Sequence, residues 1–293
     1  PSVVHHVGMK TILWGTLASK FSRVHGVVNA ISGLGGFFAE DNKGLLSRVM
    51  PRALRFSHNR KNLLCIFQND DDWGLYVKHG IIKHEQGRYI KGSGVDLNQF
   101  CYTPEPEAGK IKVMLTARMI VEKGVFLLTE AAERLRKKYD NAVEFLLVGG
   151  LDDHPGAITK EQLDAVCDGN YIKWLGYRTD VKELLKECHI MAFPSYYMEG
   201  LPKSLIEANA IGRPIITSNS VGCKETVIDG YNGFLIQPKD VDALTEKLDL
   251  LISDKELRVK MGMNARKYAE GYFSREVVKE RHMSIYDELV KEQ

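Results

Sequence analysis

Apolar residues along this chain gather in short blocks rather than alternating one by one. Nearly continuous apolar runs occur at SVVHH (2–6), GVVNAIS (26–32), NLLCIFQ (62–68), KVMLTA (112–117), VEFLLVG (143–149), YIKWLG (171–176), HIMAFPS (189–195) and PIITS (214–218). Runs of this length without a period of two read as strands buried on both faces, the habit of parallel sheets. Most are separated by stretches with helical spacing, such as residues 126–139 and 181–187. The pattern predicts an α/β protein with doubly wound parallel sheets.

One stretch interrupts the alternation. CYTPEPEAGKIK (101–112) carries two prolines, charge and no apolar periodicity, and a fresh series of βα units follows it. It divides an expected first domain, residues 1–104, from an expected Rossmann-like domain, residues 108–272. A last helix, within 273–293, places Val277, Val278, Ile285, Tyr286 and Leu289 on an apolar stripe.

The segment MAFPSYYMEGLPKSLIEANAIGRPIIT carries the sharpest candidate chemistry. A buried strand ends near Ser195, Tyr196 to Gly200 form a loop, and Pro202 suits the first position of a helix running to Gly212. Glu199 therefore precedes a helix start and Glu207 lies more than one turn inside it. Unpaired backbone N–H groups between them make an anion site. A carboxylate on either side suits a ligand with a central diphosphate and hydroxyl-rich ends. Two exposed glutamates flanking an ordinary βα turn would give the same spacing. KVMLTARMIVEKG (112–124) places Arg118 and Lys123 just past another strand end, where ligands bind in open α/β sheets. Arginine can fork onto phosphate oxygens and lysine adds a point charge.

Composition narrows the partners. Forty basic against 38 acidic residues give a formal charge of +2, too little for a global field that selects nucleic acid. Five scattered cysteines without a C-x-x-C pair read as reduced thiols of a cytoplasmic protein. No apolar run approaches the ~20 residues of a membrane span.

Taken together, the Glu199–Glu207 segment, Arg118 and Lys123 resemble the donor-site signature of retaining GT-B glycosyltransferases of family 4. The resemblance implies two Rossmann-like domains whose parallel sheets face across a cleft, with the C-terminal helix crossing back to the first domain. It implies a nucleotide-sugar donor, UDP-linked, with N-acetylhexosamine or hexose as the sugar. Arg118 and Lys123 would clamp the diphosphate, and Gly200, Leu201 and Pro202 would present the helix start. Glu207 would take the ribose hydroxyls and Glu199 would lie by the donor sugar. WLGYRTDVKELL (174–185) would approach the base, with Arg178 either contributing or serving as a surface residue at a helix start. Glu225 and the glycines 222, 230 and 233 also match; the glycines read as structural positions favouring positive φ. No dedicated nucleophile or metal is evident and no D-x-D motif is read, so a metal-independent reaction with no cofactor is expected.

The first domain carries VVHHVGMK, NAISGLGGFF and FQNDDD, which resemble the subgroup that builds capsule, O-antigen and exopolysaccharide units on a lipid carrier. His5, His6 and Lys10 are expected at a strand end facing the cleft; many relatives have His-x-His, and here the second histidine is shifted next to the first. Gly33, Gly35 and Gly36 would form a cleft wall. Asn69 to Asp72 would cap a helix. In residues 42–62, Arg48, Arg52 and Arg55 follow i, i+4, i+7 spacing beside an apolar stripe. Such a helix suits an anionic membrane surface or the diphosphate of a lipid-linked saccharide acceptor, with peripheral association at the inner face of the plasma membrane; a solvated basic face is the alternative. Only about four strands can be read before residue 101, against six or seven in the family. At ~30 residues per βαβ unit, on the order of 90 residues would be missing from the start of that domain. The expected activity is retaining hexosyl transfer. A sugar-nucleotide epimerase, a phosphorylase and a catalytically silent nucleotide-sugar-binding fragment stay open beside it.

Overall fold

A computed structural model of the chain describes residues 1–34 and 45–291, with side chains for all of these except 45–48. The chain folds into two compact units. The first comprises Pro1–Gly94, Met198–Leu201 and Arg275–Gln293; the second comprises Val95–Tyr197 and Pro202–Ser274.

In the first unit, β1 (Val3–Val7), β2 (Gly26–Ile31), β3 (Leu63–Phe67) and β4 (Gly87–Tyr89) form one parallel sheet in that order. Val3 pairs with Gly26, and Val27 with Leu63. Every residue of β3 is buried, as its unbroken apolar run requires. The helices α1 (Met9–Ser19), α2 (Leu45–His58) and α3 (Asp70–Lys78) accompany this sheet. Ile12, Leu54, Phe67 and Tyr76 fill one core. The C-terminal helix Arg275–Lys291 packs Val278, Ile285 and Leu289 against Val28, Leu64 and Ile66 in a second core. Asn69 caps α3 by accepting from Asp72 N at 2.7 Å, the role its sequence position predicts.

The second unit contains β5 (Ile111–Thr116), α4 (Val125–Tyr139), β6 (Val143–Val148), α5 (Lys160–Val166), β7 (Ile172–Trp174), α6 (Val181–Glu187), β8 (Ile190–Phe193), α7 (Lys203–Ile211), β9 (Ile215–Ser218), β10 (Gly233–Ile236), α8 (Val241–Ser253) and α9 (Lys255–Tyr272). Its six strands are all parallel, in the order β10-β9-β8-β5-β6-β7. Chain direction across the sheet reverses between β5 and β8. In an open parallel sheet that reversal opens a crevice at the carboxyl ends of the two strands.

Three local expectations need correction. The strands β4 and β10 were not visible in the apolar pattern: GRY and GFLI are too short for periodicity to register, and pairing to a longer neighbour defines them. Pro202 is the N-cap of α7 rather than its first residue, since Lys203 is the first with helical geometry. Gly233 does not use positive φ, unlike Gly222 and Gly230; a Cβ there would lie 2.0 Å from the Ile215 carbonyl oxygen across the β9–β10 pair.

The two units part at Gly94–Val95, ahead of the polar stretch 101–112. That stretch is fixed to the second unit by buried arginines. Arg213 donates to the carbonyls of Thr103, Leu185 and Lys186 at 2.8, 2.9 and 2.8 Å. Arg258 makes a two-pronged pair with Glu105, both contacts 3.0 Å, with both side chains buried.

Candidate active site

The crevice of the second unit is built from the turns after β5 and β8. After β5 the chain passes Arg118, makes a single 3-10 turn at Val121–Lys123, and enters α4 through Gly124 at φ +81°. A Cβ on Gly124 would lie 2.4 Å from the Pro194 carbonyl oxygen, so only glycine lets this turn lie against the end of β8. The Glu122 carbonyl then accepts from Tyr196 N at 2.9 Å, Tyr197 N at 3.2 Å and Ser195 Oγ at 3.2 Å. Three donors on one carbonyl lock the two turns together.

Lys123 sits in the middle of this arrangement. It is 7% exposed, and its ammonium lies 4.7 Å above the centre of the Tyr197 ring and 5.7 Å from that of Phe193. Aromatic faces offset part of the desolvation of a cation. Arg118 lies nearer the surface, with Nη1 2.9 Å from Asp152 Oδ2; this guanidinium holds the Asp152 carboxyl below its ordinary range. The sequence reading overlooked Asp152, although it stands just past Gly149–Gly150 at the end of β6. It also passed over Tyr196 and Tyr197 as plain loop, although two tyrosines between a strand end and a glycine were the available signal.

On the β8 side, α7 begins at Pro202 without a side-chain cap, leaving its first N–H groups to solvent or a ligand. Glu207 is the fifth residue of this helix. Its side chain is 14% exposed, and Lys203 Nζ, an ionic partner at 3.8 Å, is itself largely exposed. Burial raises the Glu207 carboxyl above its ordinary value, and Lys203 offsets part of that rise. A shielded carboxylate is a strong acceptor for a ligand's hydroxyl pair. Arg178 pairs with Asp180 at 2.8 Å on the exposed start of α6.

Glu199, Gly200 and Leu201 belong to the first unit. There the loop meets the end of β2 backbone to backbone: a Cβ on Gly200 would lie 1.9 Å from the Ser32 carbonyl oxygen. Gly33, at φ +124°, is its counterpart, with no room for a side chain against Gly200 N at 3.0 Å. Asn69 Nδ2 reaches the Gly200 carbonyl at 3.5 Å, and beside it burial pushes the Asp72 carboxyl up to about 6. Glu199 itself is half-buried.

His5 and His6 are the third and fourth of the five residues of β1, and Lys10 follows its carboxyl end. Successive residues of a strand point to opposite faces, so the two imidazoles do not share one face. His5 Nδ1 is hydrogen-bonded to the Tyr286 hydroxyl at 2.7 Å on the C-terminal helix, with burial lowering its pKa. His6 Nδ1 donates to Asn29 Oδ1 at 2.9 Å on the other face. Buried Asn29 also exchanges hydrogen bonds with Thr16 and donates to His58 Nε2, whose pKa burial lowers to about 4. Lys10 is exposed in the first turn of α1. Arg52 and Arg55 are exposed on α2. Gly35, Gly36 and the side chain of Arg48 lie outside the described residues.

The expectation of no D-x-D motif is incorrect: two Asp-x-Asp triplets are present, 70–72 and 240–242. Asp70–Asp72 forms the first turn of α3, and Asp240, which opens Asp240–Asp242, caps α8 by accepting from Ala243 N at 2.9 Å. Among the described residues no group of three or more His, Cys, Asp or Glu side chains is placed to hold a metal ion. Chemically, the second unit offers two cations and two helix N-termini to a polyanion, with a shielded acceptor carboxylate one helical turn away.

Comparison with known proteins gives the family and the fold. The family described as "Glycosyl transferases group 1" matches residues 104–268, which include the whole crevice. The N,N'-diacetylbacillosaminyl-diphospho-undecaprenol alpha-1,3-N-acetylgalactosaminyltransferase of Campylobacter jejuni is 30% identical over 300 residues, 96% of this chain and 76% of that protein. The UDP-Gal:alpha-D-GlcNAc-diphosphoundecaprenol alpha-1,3-galactosyltransferase of Escherichia coli is 25% identical, covering 90% of this chain and 69% of that one. Among solved structures, Anabaena Alr3699/HepE in complex with UDP superposes with a TM-score of 0.83 at 20% identity, over 98% of this chain and 79% of its own.

Proposed function

The chain belongs to the group 1 glycosyl transferases and has the α/β GT-B fold, and on that premise we propose that it transfers a sugar, with retention, from a UDP-sugar to a lipid-linked saccharide. The observation that carries the proposal is Lys123, a cation placed at 7% exposure where the strand order reverses. A cation just past the carboxyl end of β5, at the crevice where the strand order reverses, is placed to meet a diphosphate entering there.

Arg118, Lys123 and the start of α7 stabilise the departing diphosphate, which gains charge as the bond to the sugar breaks. Arg118 turns from Asp152 to do so. Glu207 accepts from the ribose hydroxyls, and Glu199 with the backbone of Gly200 and Leu201 orients the sugar. The acceptor's hydroxyl oxygen bonds to the anomeric carbon on the face from which the diphosphate leaves. The carbon–oxygen bond to the β-phosphate breaks, and the hydroxyl proton passes to the released phosphate oxygen. The two curated relatives have names that record α products, the anomer that retention yields from an α-linked donor, and both names specify a diphospho-undecaprenol acceptor. That supports a polyprenyl-diphosphate saccharide as acceptor and an N-acetylhexosamine or hexose as the transferred sugar. The basic stripe of α2 is assigned to that carrier or the anionic membrane surface bearing it. His5 and His6, held by Tyr286 and Asn29, are read as scaffolding of the first unit.

Isothermal titration with UDP, run beside a transfer assay with UDP-linked hexoses and N-acetylhexosamines, tests the proposal. UDP binding with α-linked product supports it. Conversion of the donor without any acceptor would make the protein an epimerase, and UDP binding without turnover of any donor would make it a binding protein.

A further inference from the structure

Charge is distributed unevenly along the chain. Residues 1–69 carry nine Lys and Arg against two acidic residues, Glu40 and Asp41, a net charge of +7; the other 224 residues carry 31 against 36, a net charge of −5. The donor crevice draws only Arg118, Lys123 and Lys203 from the basic residues, all outside this segment. The excess therefore lies in the part of the molecule that the donor site does not use.

Several large apolar side chains of the same segment are exposed. Trp14 is 65% exposed, Phe21 85% and Phe56 63%, and Val49 is half exposed. Trp14 and Phe21 are seven residues apart on α1 and its immediate extension, and Val49 and Phe56 are seven apart on α2. Each pair therefore shares one helix face. The helices α1 and α2 pack together, and Lys20 at the end of α1 reaches across to Phe56 on α2. Its ammonium lies 4.3 Å over the Phe56 ring and donates to the Phe56 carbonyl. Arg52 and Arg55 stand beside Phe56 along an open groove that also takes in Arg60, Lys61 and Lys83. Isolated exposed apolar residues need no explanation, but three large aromatic rings set among cations on two packed helices do.

We propose that this α1–α2 face docks on an anionic phospholipid bilayer, with Trp14, Phe21 and Phe56 entering the interface and the surrounding Lys and Arg side chains meeting the lipid phosphates. Aromatic rings sit well at the headgroup level, and each Lys or Arg near an anionic surface adds about fivefold to affinity. No helix among the described residues is long and apolar enough to cross a membrane, so this face lies on the bilayer without spanning it. The proposal extends the assigned lipid-linked acceptor by naming the surface that meets its membrane. It stands apart from the donor site, so UDP binding can fail while docking holds, and the reverse.

The test is flotation of the full chain with vesicles of phosphatidylcholine, with and without phosphatidylglycerol, read together with quenching of tryptophan emission by brominated lipid. Binding should require phosphatidylglycerol and weaken with salt, and the quenched component should vanish in Trp14→Phe, which leaves Trp73 and Trp174 in place. Combined Trp14→Ala and Phe21→Ala should weaken vesicle binding by about tenfold or more. Arg52→Glu with Arg55→Glu should do likewise, and both double variants should leave the UDP titration unchanged. Absence of vesicle binding, quenching that survives Trp14→Phe, or binding to polyuridine RNA with none to vesicles would each overturn the proposal.

Discussion

Replacing Lys123 with methionine removes one buried cation while keeping a side chain of similar length over Tyr197 and Phe193. Two effects of different size follow. At an effective dielectric of about 20, unit charges about 4 Å apart interact by about 4 kcal/mol. After competition with water, a charge-assisted contact to a phosphate oxygen retains about 2–3 kcal/mol. UDP affinity should therefore fall by about 30- to 150-fold. Stability should move far less. The variant loses a cation–π contact of about 1–2 kcal/mol together with the ammonium's other polar contacts, but it sheds the desolvation of a charge at 7% exposure and gains a sulfur–aromatic contact. The net change should stay within about 1 kcal/mol. Isothermal titration with UDP gives the first quantity and urea unfolding of the same samples gives the second. UDP affinity within about threefold of the parent, in a variant of unchanged stability, would refute the assignment of Lys123 to the diphosphate. A large loss of stability would show that the ammonium serves the fold instead.

Two further outcomes are expected. Glu207→Gln should lower UDP affinity by about tenfold, since a neutral acceptor replaces a charged one, as titration will show. Burial raises the Glu207 carboxyl in the folded state, so between the ordinary glutamate range and that raised value the folded protein holds more protons than the unfolded one. Stability contributed by this group is thus lost as pH rises through the interval, and at neutral pH the glutamine variant should melt no lower than the parent; a lower midpoint would contradict the burial argument. Gly200→Ala forces a Cβ that would lie 1.9 Å from the Ser32 carbonyl oxygen to move by more than 1 Å. Sugar transfer should fall by about a hundredfold while UDP binding, assigned to the second unit, falls much less; normal transfer would show that the Met198–Leu201 loop has no part in orienting the sugar.

The amino-acid pattern by itself determined the alternation of buried strands and amphipathic helices, because parallel strands must be apolar on both faces and each helix must hide one. KVMLTA, HIMAFPS and PIITS could be little else; Arg118 and Lys123 were legible as site candidates from their strand-end position, and Glu207 from its spacing to Glu199 together with the family resemblance. What sequence could not supply was anything that depends on which strands are neighbours. The reversal that brings β5 beside β8 exists only in the assembled sheet, and it turns Lys123 and Tyr197, 74 positions apart, into a stacked pair. The same limit explains the histidines. His5 and His6 share a motif on paper, but a strand's period of two sends one to the C-terminal helix and the other to Asn29, and only packing reveals those partners. Short strands such as β4 and β10 escaped for a related reason: three or four residues carry no period, and a hydrogen-bonded neighbour makes them strands. Local chemistry is written along the chain, whereas adjacency is decided by the cooperative burial of surfaces far apart in sequence.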